Sequence, residues 1–319
     1  MRLVVALCGV IFVHTGILAA ENPASQAWLK TMAFAKHQTN YSGVFVYEYD
    51  KHIEKTRITH VVTADGEYEK LTLLDGSNRE IIRHHGLSWW YGNHKNQQLN
   101  SSQKFGRFPV LLPEQLNALN KNYHMQAAGN EKVAGVDSQV IVFKPKDSLR
   151  YTQKMWVHSD SGLLLKTVIL NDKNHVIEKY AFIELNIGGE IDHSWVTPPQ
   201  QEKSFNFKPV ETPPLERVFK SGWVVDALPT GFNKIKEIQR PMTGKHAPVT
   251  QMVYSDGLSS ISVFIEPCDQ DDDDHENLTD RGALHLYHKV VDDHLFTVVG
   301  EVPVRTVIKV LDSIRYNGK

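Results

Sequence analysis

Cysteine is nearly absent: the 319 residues hold two, Cys8 and Cys268. Cys8 lies in an amino-terminal stretch with the form of an export signal, so the mature chain keeps one thiol and an intramolecular disulfide is excluded. Long apolar runs are missing too, since nothing after residue 20 approaches the ~20 apolar residues that a membrane-spanning helix needs. An excess of either charge is missing: 35 basic and 37 acidic side chains leave a formal net charge of -2. No global field therefore directs the chain to nucleic acid or to an anionic membrane. The sequence also lacks a G-x-S-x-G elbow, an S-x-x-K pair, an H-E-x-x-H helix and a glycine-rich phosphate loop. No enzyme activity, metal or cofactor is expected.

What is present begins with MRLVVALCGVIFVHTGILAA, residues 1–20. One early Arg2, an apolar run from Leu3 to Val13 and small residues ending at Ala19 and Ala20 give the pattern of a secretory signal peptide, with the mature chain starting near Glu21. Too few apolar residues precede Cys8, and bulky Leu7 stands where a small residue is wanted, so a lipidated cysteine is rejected. An exported chain of this size without disulfides fits a bacterial periplasm, where a large core replaces covalent staples.

Ala24, Trp28, Met32 and Ala35 recur at spacings of three and four and predict a helix over 23–38. From Tyr41 the texture changes to short segments rich in Val, Ile, Tyr, Phe and Thr, divided by turn signals such as the Asp-Gly pairs at 65 and 75. Strands are predicted at 42–50, 54–63, 67–74, 79–85, 87–92, 96–101, 123–128, 138–144, 150–158, 163–170 and 176–187, with a helix near 113–121. Their close spacing calls for a large antiparallel sheet that curls as an unclosed β-barrel around helices, an α+β fold. Five prolines in TPPQQEKSFNFKPVETPP mark a linker. The domains are read as 1–20 signal, 21–197 amino-terminal domain, 198–214 linker and 215–319 carboxy-terminal domain. In the last, strands are predicted at 217–226, 233–240, 249–254, 259–266, 283–291 and 294–300. A helix from Pro303 then carries Val304, Val307, Ile308, Leu311 and Ile314 on one stripe.

The stretch VYSDGLSSISVFIEP, residues 253–267, crowds serines around an aspartate. Ile261, Val263 and Ile265 alternate with Ser260, Ser262 and Phe264, which is the period of a half-buried strand, and Ser-Asp-Gly then forms its turn with Gly257 at positive φ. The serines read as geometry rather than as nucleophiles. Of the 16 histidines, the pairs His84/His85 and His285/His288 lack carboxylates at ligand spacing and read as exposed side chains. The acidic run DQDDDDHE at 269–276 departs from a calcium loop at its sixth and twelfth positions and reads as a solvated surface loop.

Trp89, Trp90, Tyr91, Phe105, Phe108, Val110, Leu111 and Leu112 concentrate large apolar side chains near predicted loops and a helix start. They either fill the core beneath the sheet or line a cleft or patch for an apolar ligand or partner. They are taken as candidate lipid-binding residues.

The segments LPTGF at 228–232, VYSDGLSSISVFIEP, and LFTVVGEVPVRTVIKVLDSIRY resemble the RseB/MucB family, periplasmic regulators of the envelope-stress sigma factor. NYSGVFVYEY at 40–49, LDGSNREIIRHHG at 74–86 and residues 155–187 are similar to the amino-terminal domain of that family. The resemblance covers nearly the whole mature chain. It implies an amino-terminal domain like the lipoprotein carriers LolA and LolB, and a smaller sheet-and-helix domain behind the linker. It further implies that the chain binds the periplasmic domain of an RseA/MucA-like anti-sigma factor and shields it from DegS-type site-one proteolysis. Lipopolysaccharide or another acylated lipid would release it, and its partner would hold it peripheral to the inner membrane. Tyr254, Leu258 and Phe264 are the candidate partner-binding residues. A homodimer is left open, and a periplasmic lipid or lipoprotein carrier of LolA type is the alternative function.

Overall fold

The computed structural model describes residues 31, 32, 35, 37–77, 79–84, 87–92, 97–100, 116–192, 194–196, 220–240, 247–268, 277–291 and 293–318. The expected signal peptide at 1–20, the expected linker at 198–214, the acidic run at 269–276 and the candidates Phe105, Phe108, Val110, Leu111 and Leu112 lie outside the described residues. Among the described residues no helix is long and apolar enough to cross a membrane.

The described positions up to Gln38 are helical, and Met32 and Ala35 of the expected stripe are buried. Six strands follow as a meander: β1 (Tyr41–Tyr49), β2 (His52–Thr63), β3 (Gly66–Leu73), β4 (Glu80–His84), β5 (Leu87–Tyr91) and β6 (Gln97–Asn100). After helix α1 (Leu116–Asn122) a second meander contains β7 (Tyr123–Val133), β8 (Val136–Pro145), β9 (Thr152–His158), β10 (Leu164–Leu170) and β11 (Val176–Ile187). The two meanders fuse through antiparallel β1 and β11, from Tyr41 opposite Ile187 to Tyr49 opposite Glu178. The result is one eleven-stranded sheet ordered β6-β5-β4-β3-β2-β1-β11-β10-β9-β8-β7, with β6 and β7 as open edges.

A flat sheet of that width would spread over roughly 50 Å at ~4.8 Å per strand. Instead Ile81 and Leu71 from one half and Tyr123, Val140 and Phe143 from the other belong to a single core cluster with Met32 of the first helix and Leu119 of α1. The sheet is curled around its helices without closing, which is the architecture expected from the sequence.

The second unit contains β12 (Trp223–Val225), β13 (Asn233–Arg240), β14 (Val249–Ser255), β15 (Ser260–Pro267), β16 (Asn277–Arg281), β17 (Leu284–Val291), β18 (His294–Gly300), helix α2 (Val304–Leu311) and β19 (Ile314–Tyr316). Six of these form a sheet ordered β13-β14-β15-β18-β17-β16, and β12 pairs with β19. Ile261, Val263 and Ile265 are buried in β15 as their alternation predicts, and Gly257 takes φ 102° in the turn before it. Helix α2 buries Thr306, Val307, Val310 and Leu311. Val307, Val310 and Leu311 share a core with Met252, Tyr254, Ile261, Val263, Tyr287 and Val298.

Three expectations are corrected. The last helix stops at Leu311, and Ile314 joins β19, because Ile314 to Tyr316 pair with Val225 to Trp223; local periodicity carries no information about that distant partner. The strand expected at 217–226 is confined, among the described residues, to Trp223–Val225. Strand β16 was not expected at all, because every one of its side chains is exposed and polar residues dominate NLTDR.

Candidate functional site

The concave face of the first meander carries two parallel cross-strand rows. In the ladder Tyr41 stands opposite His60, His60 opposite Glu69, Glu69 opposite Arg83, and Arg83 opposite Ser88. Two residues along each strand, and so on the same face, Ile58 stands opposite Leu71, Leu71 opposite Ile81, and Ile81 opposite Trp90. A polar row therefore borders an apolar row across neighbouring strands. Tyr41, His60, Glu69 and Ser88 are buried, as are Ile58, Leu71 and Ile81.

The polar row is only partly satisfied. His60 Nδ1 lies 3.0 Å from the Thr39 carbonyl and Nε2 3.4 Å from Glu67, which also meets His37. The His60 ring stacks on Tyr41 at 4.9 Å between centroids. Arg83 Nη1 donates to Glu69 Oε1. The Tyr41 hydroxyl and Arg83 Nη2 are buried without a hydrogen-bond partner. Burial, with the neighbouring Glu69 and Glu67 carboxylates, drives the Tyr41 pKa well above the usual phenol value. The hydroxyl therefore stays protonated and able to donate.

Of the candidate aromatic residues, Trp89 faces Ile82 and Gln98 across the ladder, and Tyr91 faces Glu80. Both are half-buried, and strand alternation puts them on the face opposite Ser88. Trp90 takes the ladder position opposite Ile81. Sequence reading missed Tyr41, His60, Glu69, Arg83 and Ser88. The available signal was a polar residue two positions from an apolar one in consecutive strands: His60 with Ile58, Glu69 with Leu71, Arg83 with Ile81.

The second arrangement is the seam between the two sheets, centred on Arg150. Its Nε donates to Asp256 Oδ2 at 2.6 Å, and its Nη groups donate to Asp147 and to the Thr230 carbonyl. The guanidinium lies 5.1 Å from the Phe232 ring centroid and 5.7 Å from that of Tyr123. Tyr123 donates its hydroxyl to the same Asp256 oxygen at 2.8 Å, and its pKa is raised by burial first and by that carboxylate second. Asp256 Oδ1 accepts the Leu258 and Ser259 amides at 3.0 and 2.9 Å, so one carboxylate both builds its turn and anchors it to the other sheet.

Two further contacts complete the seam. Arg305 Nε and Thr306 Oγ1, in the first turn of α2, donate to the Ser148 and Leu149 carbonyls at 2.7 and 3.0 Å. At the β16–β17 hairpin, the Ala283 amide donates to Glu178 at 2.9 Å, Tyr151 and His285 meet at 2.8 Å, and Arg281 lies 4.5 Å over Tyr49. His285 is thus buried in the seam rather than exposed as the sequence suggested. His84 is stacked on Tyr68 at 3.6 Å and is 3.3 Å from Asp65. Among the described residues no His, Cys, Asp or Glu side chains gather as a metal site.

Of the candidate partner residues, Tyr254 is buried in the small-sheet core, and Leu258 joins the core cluster of the large sheet. Phe264 is half-buried on β15 opposite Gln251 and Thr297. The motifs LPTGF and YSDGL converge on Arg150, and the helix opened by VGEVP meets the loop that holds it.

Residues 24–200 match the MucB/RseB N-terminal domain and residues 218–315 the MucB/RseB C-terminal domain. The chain is 31% identical over 310 residues to the sigma factor AlgU regulatory protein MucB of Pseudomonas aeruginosa, covering 92% of this chain and 93% of that protein. It is 26% identical over 300 residues to the sigma-E factor regulatory protein RseB of Escherichia coli K12, covering 93% and 92%. A solved structure of the Pseudomonas aeruginosa MucA/MucB complex superposes with TM-score 0.74 at 28% identity, covering 93% of this chain and 100% of that one.

Proposed function

The chain belongs to the MucB/RseB family, and from that premise we propose that it is a non-enzymatic regulator acting in the periplasm. It binds the periplasmic domain of a MucA/RseA-like anti-sigma factor and shields it from a DegS-type site-one protease. It lets go when lipopolysaccharide or another acylated lipid occupies the large sheet. The observation that carries this reading is the likeness, along 93% of the chain, to a MucB structure solved with MucA.

The seam supports the coupling between lipid and partner. Leu258 and Asp256 belong to the small sheet, yet Leu258 is part of the large-sheet core and Asp256 is held by Arg150. A ligand that rearranges the inside of the large sheet acts on the same cluster that holds the small sheet in place, and its differential affinity for the two arrangements shifts the balance between them. A carrier working through the large sheet alone has no need of such an anchor, which favours the regulator.

The test is a cleavage assay with the mature protein, the periplasmic domain of the anti-sigma factor and the site-one protease. Slowed cleavage that lipopolysaccharide restores is expected. Undiminished cleavage overturns the regulatory reading, and shielding that no lipid relieves overturns the release step.

A further inference from the structure

We propose that the polar row Tyr41–His60–Glu69–Arg83–Ser88 is the docking point for an uncharged oxygen acceptor, the ester or amide carbonyl at the head of an acyl chain, whose hydrocarbon lies along the neighbouring row of Ile58, Leu71 and Ile81. This inference rests on the reading that the large sheet takes up an acylated lipid, and it specifies which part of that lipid is recognised and where.

The argument begins with cost. A buried donor left unpaired costs about 1–3 kcal/mol, and two of them, the Tyr41 hydroxyl and Arg83 Nη2, belong to one row on one concave face. Both atoms donate, so the missing partner is an acceptor. Core polar groups retained for stability alone are normally fully satisfied; groups retained for a ligand keep capacity in hand.

Charge then narrows the ligand class. The Arg83 guanidinium already faces Glu69, which neutralises it, and Glu67 adds a second carboxylate beside His60. A phosphate or free carboxylate placed here meets two carboxylates and no uncommitted positive charge. A carbonyl oxygen accepts from Tyr41 or from Arg83 without that penalty.

Geometry supplies the rest. The two rows are separated by two residues along each strand, which is roughly 7 Å. Ile58, Leu71 and Ile81 share a buried core cluster with the helical side chains Met32 and Leu119, so an acyl chain reaches that row by displacing them, and its head-end carbonyl turns across the roughly 7 Å to the polar row.

The test compares a lysophosphatidylcholine with its ether-linked analogue of equal chain length, both below their micelle-forming concentrations. The two share head group and hydrocarbon and differ in the carbonyl. Calorimetric titration of the full mature chain is expected to favour the ester by about threefold to tenfold, the factor set by one or two net hydrogen bonds. Tyr41→Phe keeps the ring stacked on His60 and is expected to reduce that preference to below twofold, while thermal unfolding stays unchanged or rises because the lost hydroxyl had no partner. Arg83→Lys keeps the charge opposite Glu69 and is expected to weaken the preference in the same direction. Equal affinity of the wild type for ester and ether, or an undiminished preference in Tyr41→Phe, overturns the inference. If the wild type binds neither amphiphile, the acyl-lipid reading itself falls and the inference with it.

Discussion

Arg150 and Asp256 stand 106 positions apart in the sequence, yet Nε of the first donates to Oδ2 of the second at 2.6 Å. Both side chains are almost wholly buried, at 1% and 0% exposure. Breaking a buried pair from one side leaves an uncompensated charge, whereas replacing both members with apolar groups of similar shape is often neutral. Asp256→Asn is expected to cost about 3 kcal/mol, at the lower end for such pairs because Asp147 still faces the guanidinium. The double variant Arg150→Met, Asp256→Leu is expected to recover part of the loss. Urea denaturation of the wild type, the single variant and the double variant checks this.

Leu258 is a small-sheet residue in a large-sheet core. Leu258→Ala is therefore expected to cost about 2 kcal/mol through the cavity it leaves, and the loss should register in the unfolding of the large sheet. Hydrogen exchange resolved by segment distinguishes the two. Faster exchange confined to β14 and β15 would contradict the assignment.

Gly282 sits at φ +61°, and a Cβ there would come within 2.9 Å of Tyr49 Cβ and Glu178 Oε2. Both the strained backbone and the contact oppose a side chain. Gly282→Val is expected to undock the β16–β17 hairpin at a cost of about 1–3 kcal/mol, read as loss of protection at the Ala283 amide while the core of the small sheet stays protected.

His285 meets the Tyr151 hydroxyl through Nε2, and its Nδ1 is buried without a partner. Burial lowers its pKa from the ordinary value, opposed by Asp280; Arg305 and Asp172 act on Tyr151 from the other side. The unfolded or undocked histidine takes up its proton at higher pH than the docked one. The stabilisation is therefore complete above about pH 6.5 and is lost as pH falls through the lower, docked value. Hydrogen exchange of β17 is expected to accelerate between about pH 7 and pH 5 relative to the rest of the small sheet, and His285→Leu is expected to flatten that dependence.

Most strand positions were legible in the sequence because side-chain alternation is a local property of the extended backbone. The β15 serines are an example: Ile261, Val263 and Ile265 marked the strand, and Asp256 and Gly257 its turn. What stayed hidden was the second role of Asp256. Its bonds to the Leu258 and Ser259 amides are written in the turn motif, but its bond to Arg150 depends on a loop from the other domain. Ile314 and β16 failed for the same reason, since one was drawn into a strand by Val225 and the other has almost no apolar signal of its own.

The candidate site divides along the same line. Sequence alone determined that the chain is cysteine-poor, rich in antiparallel strands and similar along its length to one family, because composition, period and motif are read residue by residue. Tertiary structure decided that Tyr41, His60, Glu69, Arg83 and Ser88 form one row and that three carboxy-terminal motifs close on the loop around Arg150. Each strand contributes a single polar side chain to the row, and only the register between strands, fixed by the packing of the curled sheet, sets those side chains opposite one another.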